Sequence, residues 1–141
     1  MISKKITINA TPEQCFKVIT DYKSYPKFLD DLKKIEVKKQ KGNMCEVTQH
    51  IEVMKDISYT LRMTADPKKH VVVWDFVEGD YLRDNNGSWE LKEIKKGQTQ
   101  ATYNIDIRFG LLVPSFVSKM LTEQHLPKLL KAFKKRIETN V

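Results

Sequence analysis

Ring closure and dehydration need an acid and a base facing one substrate, most often a histidine with a carboxylate or a phenol. The chain has three histidines, His50, His70 and His125. His70 follows Lys68-Lys69 at a turn and reads as a solvated residue. His50 has the opposite parity to Val47, Gln49 and Ile51, so a regular strand places it on the outer face. His125 precedes Leu126-Pro127 at a break in a helical stripe. An imidazole there caps a carbonyl or touches a ligand, and capping is the simpler role. Cys15 and Cys45 follow neither redox nor metal spacing and read as reduced, packed thiols. No nucleophile elbow, phosphate loop or zinc-ligand spacing occurs. The sequence therefore designates no catalytic residue, no metal ligand and no cofactor, and an enzyme is its weaker reading.

The chemistry that remains is apolar binding. Tyr59, Leu61, Met63, Trp74, Phe76, Trp89, Tyr103, Ile105, Ile107 and Phe109 form rows of one parity along alternating segments. Phe116, Met120 and Leu121 face them from a helical stretch. Together these residues are the candidate lining of an internal cavity. Met54, Met63 and Met120 adapt to ligands of irregular shape. Tyr59 or Tyr103 offers a polar anchor, whereas Arg62 has outer parity and reads as solvated.

These side chains need elements to hold them. Ile2, Ile6 and Ile8 mark a strand. Thr11, Pro12 and Gln14 make a capping box with proline in the first turn, opening a short helix that carries Cys15, Phe16, Ile19 and Tyr22. A second short helix is expected from Tyr25-Pro26, with Phe28, Leu29 and Leu32 on its apolar side. From Ile35 to Phe109 the period is two, with turns at Gly42, Asp66-Pro67, Gly79-Asp80 and Lys96-Gly97. Asp84-Asn85-Asn86-Gly87 reads as a hairpin turn or as a bulge in one long strand. Gly110 ends the last strand, and a helical stripe runs from Phe116 to Ile137. Pro127 lies inside it, so a kink is expected near Gln124-His125. The pattern predicts an α+β fold: a curved antiparallel sheet of about seven strands wrapped on a long C-terminal helix, with two short helices after the first strand. Such a sheet needs the helix to cover its concave face, and the pair tends to enclose an apolar cavity.

Length and charge set the remaining bounds. The 141 residues suit one domain, 1–141, with 40% hydrophobic and 30% charged residues. No apolar run reaches the ~20 residues that a membrane-spanning helix needs, and Met1 to Ile8 has no apolar signal core. The expected location is the cytoplasm. The net charge is +7. Lys23–Lys41 and Pro114–Val141 are the basic stretches, and the Lys33–Lys41 segment and the basic side of the last helix read as solvated charge or as docking sites for an anionic membrane or RNA. Sequence-specific nucleic-acid recognition is not expected, because the aromatics fall on the inner face rather than on an exposed stacking platform.

The chain resembles the START-like helix-grip (SRPBCC) superfamily, and within it the polyketide cyclase/dehydrase and coenzyme Q-binding branch. The resemblance rests on Thr11–Phe16, Asp21–Leu29, Trp74–Asp80, Asn86–Leu91, Thr99–Tyr103, Val113–Phe116 and Leu126-Pro127. It implies a deep hydrophobic pocket between sheet and C-terminal helix. Superfamily members resemble lipid carriers, a quinone-binding chaperone, aromatic-ring cyclases and a toxin that blocks ribosomal subunit joining. The function expected here is binding, transport or chaperoning of a lipid, quinone or polyketide-like molecule. The alternatives are a ribosome-associated regulator or a cyclase/dehydratase. The expected entrance lies between Gly110–Phe116 and Tyr25–Phe28, with Tyr25, Phe28 and Val113 at its rim.

Overall fold

The computed structural model describes residues 1–53 and 55–140. Met54, named above as an adaptable side chain, lies outside them. The elements are β1 (Ile2–Ile8), α1 (Pro12–Ile19), a 3₁₀ helix (Tyr22–Lys27), β2 (Leu32–Lys41), β3 (Met44–Val53), β4 (Lys55–Asp66), β5 (Val71–Gly79), β6 (Leu82–Lys95) and β7 (Gln98–Phe109). A helical run follows: α2 (Ser115–Met120), a π-helical turn (Leu121–His125) and α3 (Leu126–Thr139). The strands form one antiparallel sheet in the order β1-β7-β6-β5-β4-β3-β2. This is the helix-grip arrangement, with the C-terminal helix against the concave face.

α1 starts where its capping residues dictate. The Thr11 hydroxyl accepts from the Gln14 N–H at 3.2 Å, and the Gln14 side chain accepts from the Thr11 N–H at 2.8 Å. The second short helix begins earlier than its sequence pattern predicts and is 3₁₀. Three residues per turn put Tyr22 and Tyr25 on the same side, and both are buried. The Tyr25 hydroxyl donates to the Ile19 carbonyl at the end of α1.

Asp84-Asn85-Asn86-Gly87 lies inside β6, with a register shift between Leu82 and Asp84. The β5–β6 ladder covers only Val71–Trp74 opposite Gly87–Glu90. Beyond it, asparagine side chains replace ladder bonds. Asn86 Oδ1 accepts from the Phe76 N–H and Asn85 Oδ1 from Trp74 Nε1, both at 3.1 Å. Gly87 is required by a close approach: a Cβ there would stand 2.3 Å from Trp74 Cζ2 and from the Asn104 carbonyl oxygen.

The kink expected near Gln124-His125 takes the form of the π-helical turn. Pro127 has no N–H to donate and its ring crowds the carbonyl of Glu123, and a widened turn relieves both. α3 then buries Leu126, Leu130, Phe133 and Ile137 at helical spacing. Phe133 centres an aromatic cluster, with Tyr25, Phe28 and Trp89 rings 5.1, 5.1 and 5.3 Å away. Among the described residues no helix is long and apolar enough to cross a membrane.

Candidate ligand cavity

Between the sheet and the helical run lies a cavity of about 130 Å³. Leu61, Met63, Trp74, Trp89, Tyr103, Ile105 and Ile107 line it from the strands, as the period-two rows predict. Tyr59, of the same rows, joins them, and Gln49, Ile51 and Ile57 are additions that those rows did not include. The helical run contributes Leu121, Thr122, His125, Leu126, Leu129 and Phe133. Tyr25 and Leu29 close the side near the 3₁₀ helix.

Four predicted lining residues lie elsewhere. Phe76 is half-buried against the core but sits past the end of the β5–β6 ladder, where the two strands part. Phe109, at the end of β7, lines a surface groove with Met1 and Lys119 that adjoins the cavity through Ile2, Ile105, Ile107 and Thr122 but lies outside it. Phe116 is 60% exposed on α2. Met120 is only half-buried and off the cavity wall. A period of 3.6 carried across 116–130 assigns Met120 and Leu121 to one face. The π-helical turn adds a residue to that period and brings Leu121 and Thr122 inward instead.

The predicted entrance also moves. Tyr25 lies deep in the wall, held by its bond to Ile19, and Val113 lines neither the cavity nor its antechamber. Phe28 lines an outer groove of about 540 Å³ between the 3₁₀–β2 corner and α3. Leu29, Gln49, Ile51, Tyr59, His125 and Leu129 line both spaces, so this groove adjoins the cavity. The segment before α2 instead carries Leu111 and Leu112 outward, 91% and 94% exposed.

Polar groups in the cavity are few. Trp74 occupies Asn85 Oδ1, and the Tyr59 hydroxyl makes a long 3.4 Å bond to Gln49 Oε1. Every enclosed side-chain polar atom described has a partner. No hydrogen bond among the described residues engages the Tyr103 hydroxyl, so that oxygen opens onto the cavity. Burial pushes the Tyr59 phenol up to about 12 and raises Tyr103 as well. Both phenols therefore keep their protons at neutral pH.

His125 does not cap a carbonyl. Its Nδ1 lies 2.9 Å from Asp31 Oδ2, and Lys128 Nζ lies 3.6 Å from Asp31 Oδ1. Sequence reasoning missed this pair, because β2 through β7 and α2 separate its members. His50 takes the outer face as expected, with Nδ1 at 2.7 Å from Ser58 Oγ and Nε2 at 3.2 Å from Glu36 Oε1. His70 is not simply solvated: its ring packs edge-on against Phe16 at 5.7 Å. In the Lys-rich stretch, Lys38 and Lys34 with His50 hold Glu36 down at about 2, and Lys39 faces Glu46 at 3.7 Å. Cys15 and Cys45 are buried and unbridged, and burial raises both thiols.

An antiparallel sheet gripping a C-terminal helix over an apolar cavity defines a START-like domain for hydrophobic ligands. The chain belongs to the family described as polyketide cyclase / dehydrase and lipid transport, which it matches over residues 1–138. Its fold is similar to that of the Zhui aromatase/cyclase from Streptomyces sp. R1128, with a TM-score of 0.88 at 19% identity over 97% of this chain and 92% of that one. It is also similar to a START superfamily protein from Mycobacterium smegmatis, with a TM-score of 0.85 at 17% identity over 99% and 98%. A STAR-related lipid transfer protein from Xanthomonas axonopodis gives 0.76 at 14% identity over 96% and 84%. No curated protein matches the chain by sequence.

Proposed function

We propose that the protein binds a hydrophobic small molecule in this cavity and carries, chaperones or senses it without covalent chemistry. The observation behind this reading is an apolar cavity walled by Trp74, Trp89 and Tyr103 and open on one side to the outer groove. An apolar cavity of about 150 Å³ accepts a benzene-sized guest. The volume here is of that order, so one ring or a short chain end enters without rearrangement. Native mass spectrometry of freshly purified protein tests this, with organic extraction of whatever leaves it. A discrete added mass that extracts as a lipid, quinone or polyketide-like compound supports the reading. An added mass that persists after the cavity is filled by substitution refutes it.

The His125–Asp31 pair favours a second reading, a cyclase or dehydratase. The carboxylate orients the imidazole through Nδ1 and leaves Nε2 as the nitrogen that can move a proton. Returning the extracted ligand to the protein separates the two. Recovery unaltered supports binding alone. Recovery lighter by one water, prevented by His125→Asn, assigns the dehydratase.

A further inference from the structure

We infer that the ligand is an anionic amphiphile, with its apolar end in the cavity and a carboxylate, phosphate or sulfate head in the outer groove. This rests on the hydrophobic-ligand reading and adds to it the charge and direction of the ligand. Lys27, Lys128, Lys131, Lys135 and Arg136 line the groove against only Asp30 and Asp31. Asp31 is already engaged by His125 and Lys128. Among the described residues, Lys27, Lys131, Lys135 and Arg136 have no carboxylate within 4.0 Å. The Arg136 guanidinium lies 5.4 Å over the Phe28 ring, at the apolar wall of the groove.

The two spaces order a ligand from end to end. About 130 Å³ holds roughly one ring's worth of ligand, so a longer molecule continues outside it, and the larger of the two grooves that adjoin it, about 540 Å³ against about 210 Å³, lies past Leu29 and Leu129. Of the charged groups it meets there beyond the apolar wall, five are ammonium or guanidinium and two are carboxylates, one of them already engaged. A neutral head leaves these cations to water, whereas an anionic head gains charge-assisted hydrogen bonds. The apolar wall of Phe28, Leu29, Ile51, Leu129 and Ala132 favours an amphiphile over a polyanion such as RNA, which needs no such wall.

The test is calorimetric titration with decanoate, decanol and decyltrimethylammonium, on the wild type and on the Lys131→Glu/Lys135→Glu double variant. Both lysines are exposed, so the fold survives the exchange. Decanoate is expected to bind at least about tenfold tighter than decanol, equivalent to about 1.4 kcal/mol. The ratio falls as salt is added. In the double variant it collapses to about one, while decanol affinity stays within twofold. Decyltrimethylammonium binds more weakly than decanol. Equal affinity for decanoate and decanol overturns the anionic head and leaves the hydrophobic-ligand reading standing. No binding of either overturns both. Displacement of decanoate by equimolar inorganic phosphate shows a free-anion site and overturns the amphiphile. Lysine-dependent sedimentation with phosphatidylglycerol vesicles, without any preference for decanoate, reassigns the groove to a membrane surface and also overturns it.

Discussion

Replacing Ile105 by phenylalanine separates a real void from a packed core. Ile105 lies in the middle of β7, opposite Gly87 on one side and Ile2 on the other, and its side chain lines the cavity. At about 24 cal/mol per Å³, an empty space of about 130 Å³ withholds about 3 kcal/mol from the folded state. Phenylalanine exceeds isoleucine by only roughly 25 Å³, so the ring recovers about 0.6 kcal/mol before any rotamer strain. The same substitution in a filled core costs about 1–3 kcal/mol through overpacking. The two cases thus differ in sign. Urea denaturation at constant m reads the difference directly. Thermal melting follows at about 3–4 °C per kcal/mol for a domain of this size. The expected result is a midpoint unchanged or raised, with decanol affinity reduced at least about tenfold, or 1.4 kcal/mol. A loss of more than about 1 kcal/mol with decanol binding intact refutes both the void and its role.

Three further changes probe the parts that shape the cavity. Gly87→Ala drives a Cβ into Trp74 and the Asn104 carbonyl, and costs about 3 kcal/mol with a weakened near-ultraviolet tryptophan signal. Asn85→Leu strands the buried Trp74 N–H and costs about 1–3 kcal/mol, whereas the Asn85→Leu/Trp74→Phe pair costs less than the sum of its singles in a double-mutant cycle. The Glu138 carboxylate is held below its ordinary 4.5 by the Asn9 N–H and then by Lys134. A depressed folded value means stability that is present above 4.5 and lost as pH falls through the folded value. Glu138→Gln should therefore cost about 1 kcal/mol at neutral pH, reduced by partial exposure, and nothing once the wild-type carboxyl is protonated, as read by urea midpoints across the acid range.

Local signals carried most of the architecture because they act within a few residues. The Thr11–Gln14 capping box, the alternation along β3, β4 and β7, and the stripe of α3 all encode their partners nearby. Eight of the strand positions assigned to the lining share the sheet wall because strand parity survives any error in strand pairing. Helical parity does not survive an inserted residue. Met120 and Phe116 were therefore displaced while Leu121 was kept. Phe76 failed for a related reason: its parity is right, but β5 leaves β6 before reaching it. Asp31 and His125 lie 94 residues apart, and no periodicity links a loop carboxylate to a helix imidazole across a whole sheet.

A void persists only where something other than side-chain packing fixes the walls, since regular elements relax onto one another until they touch. Both walls here carry such a device. In the sheet, Asn85 and Asn86 bond Trp74 and the Phe76 N–H, and so hold β5 and β6 apart where their ladder ends. In the roof, Pro127 removes a donor, and the resulting π-helical turn swings Leu121, Thr122 and His125 over the gap. The first device rests on asparagine side-chain bonds and the second on a lost backbone donor, so exchanging aliphatic groups inside the cavity leaves the frame in place. The frame also sets the polarity of the site. The π-helical turn delivers His125 to Asp31 at the partition between cavity and groove, and the helix continues with lysines on the outer side. One irregular turn thus fixes the roof of the apolar chamber and the inner limit of the cationic one.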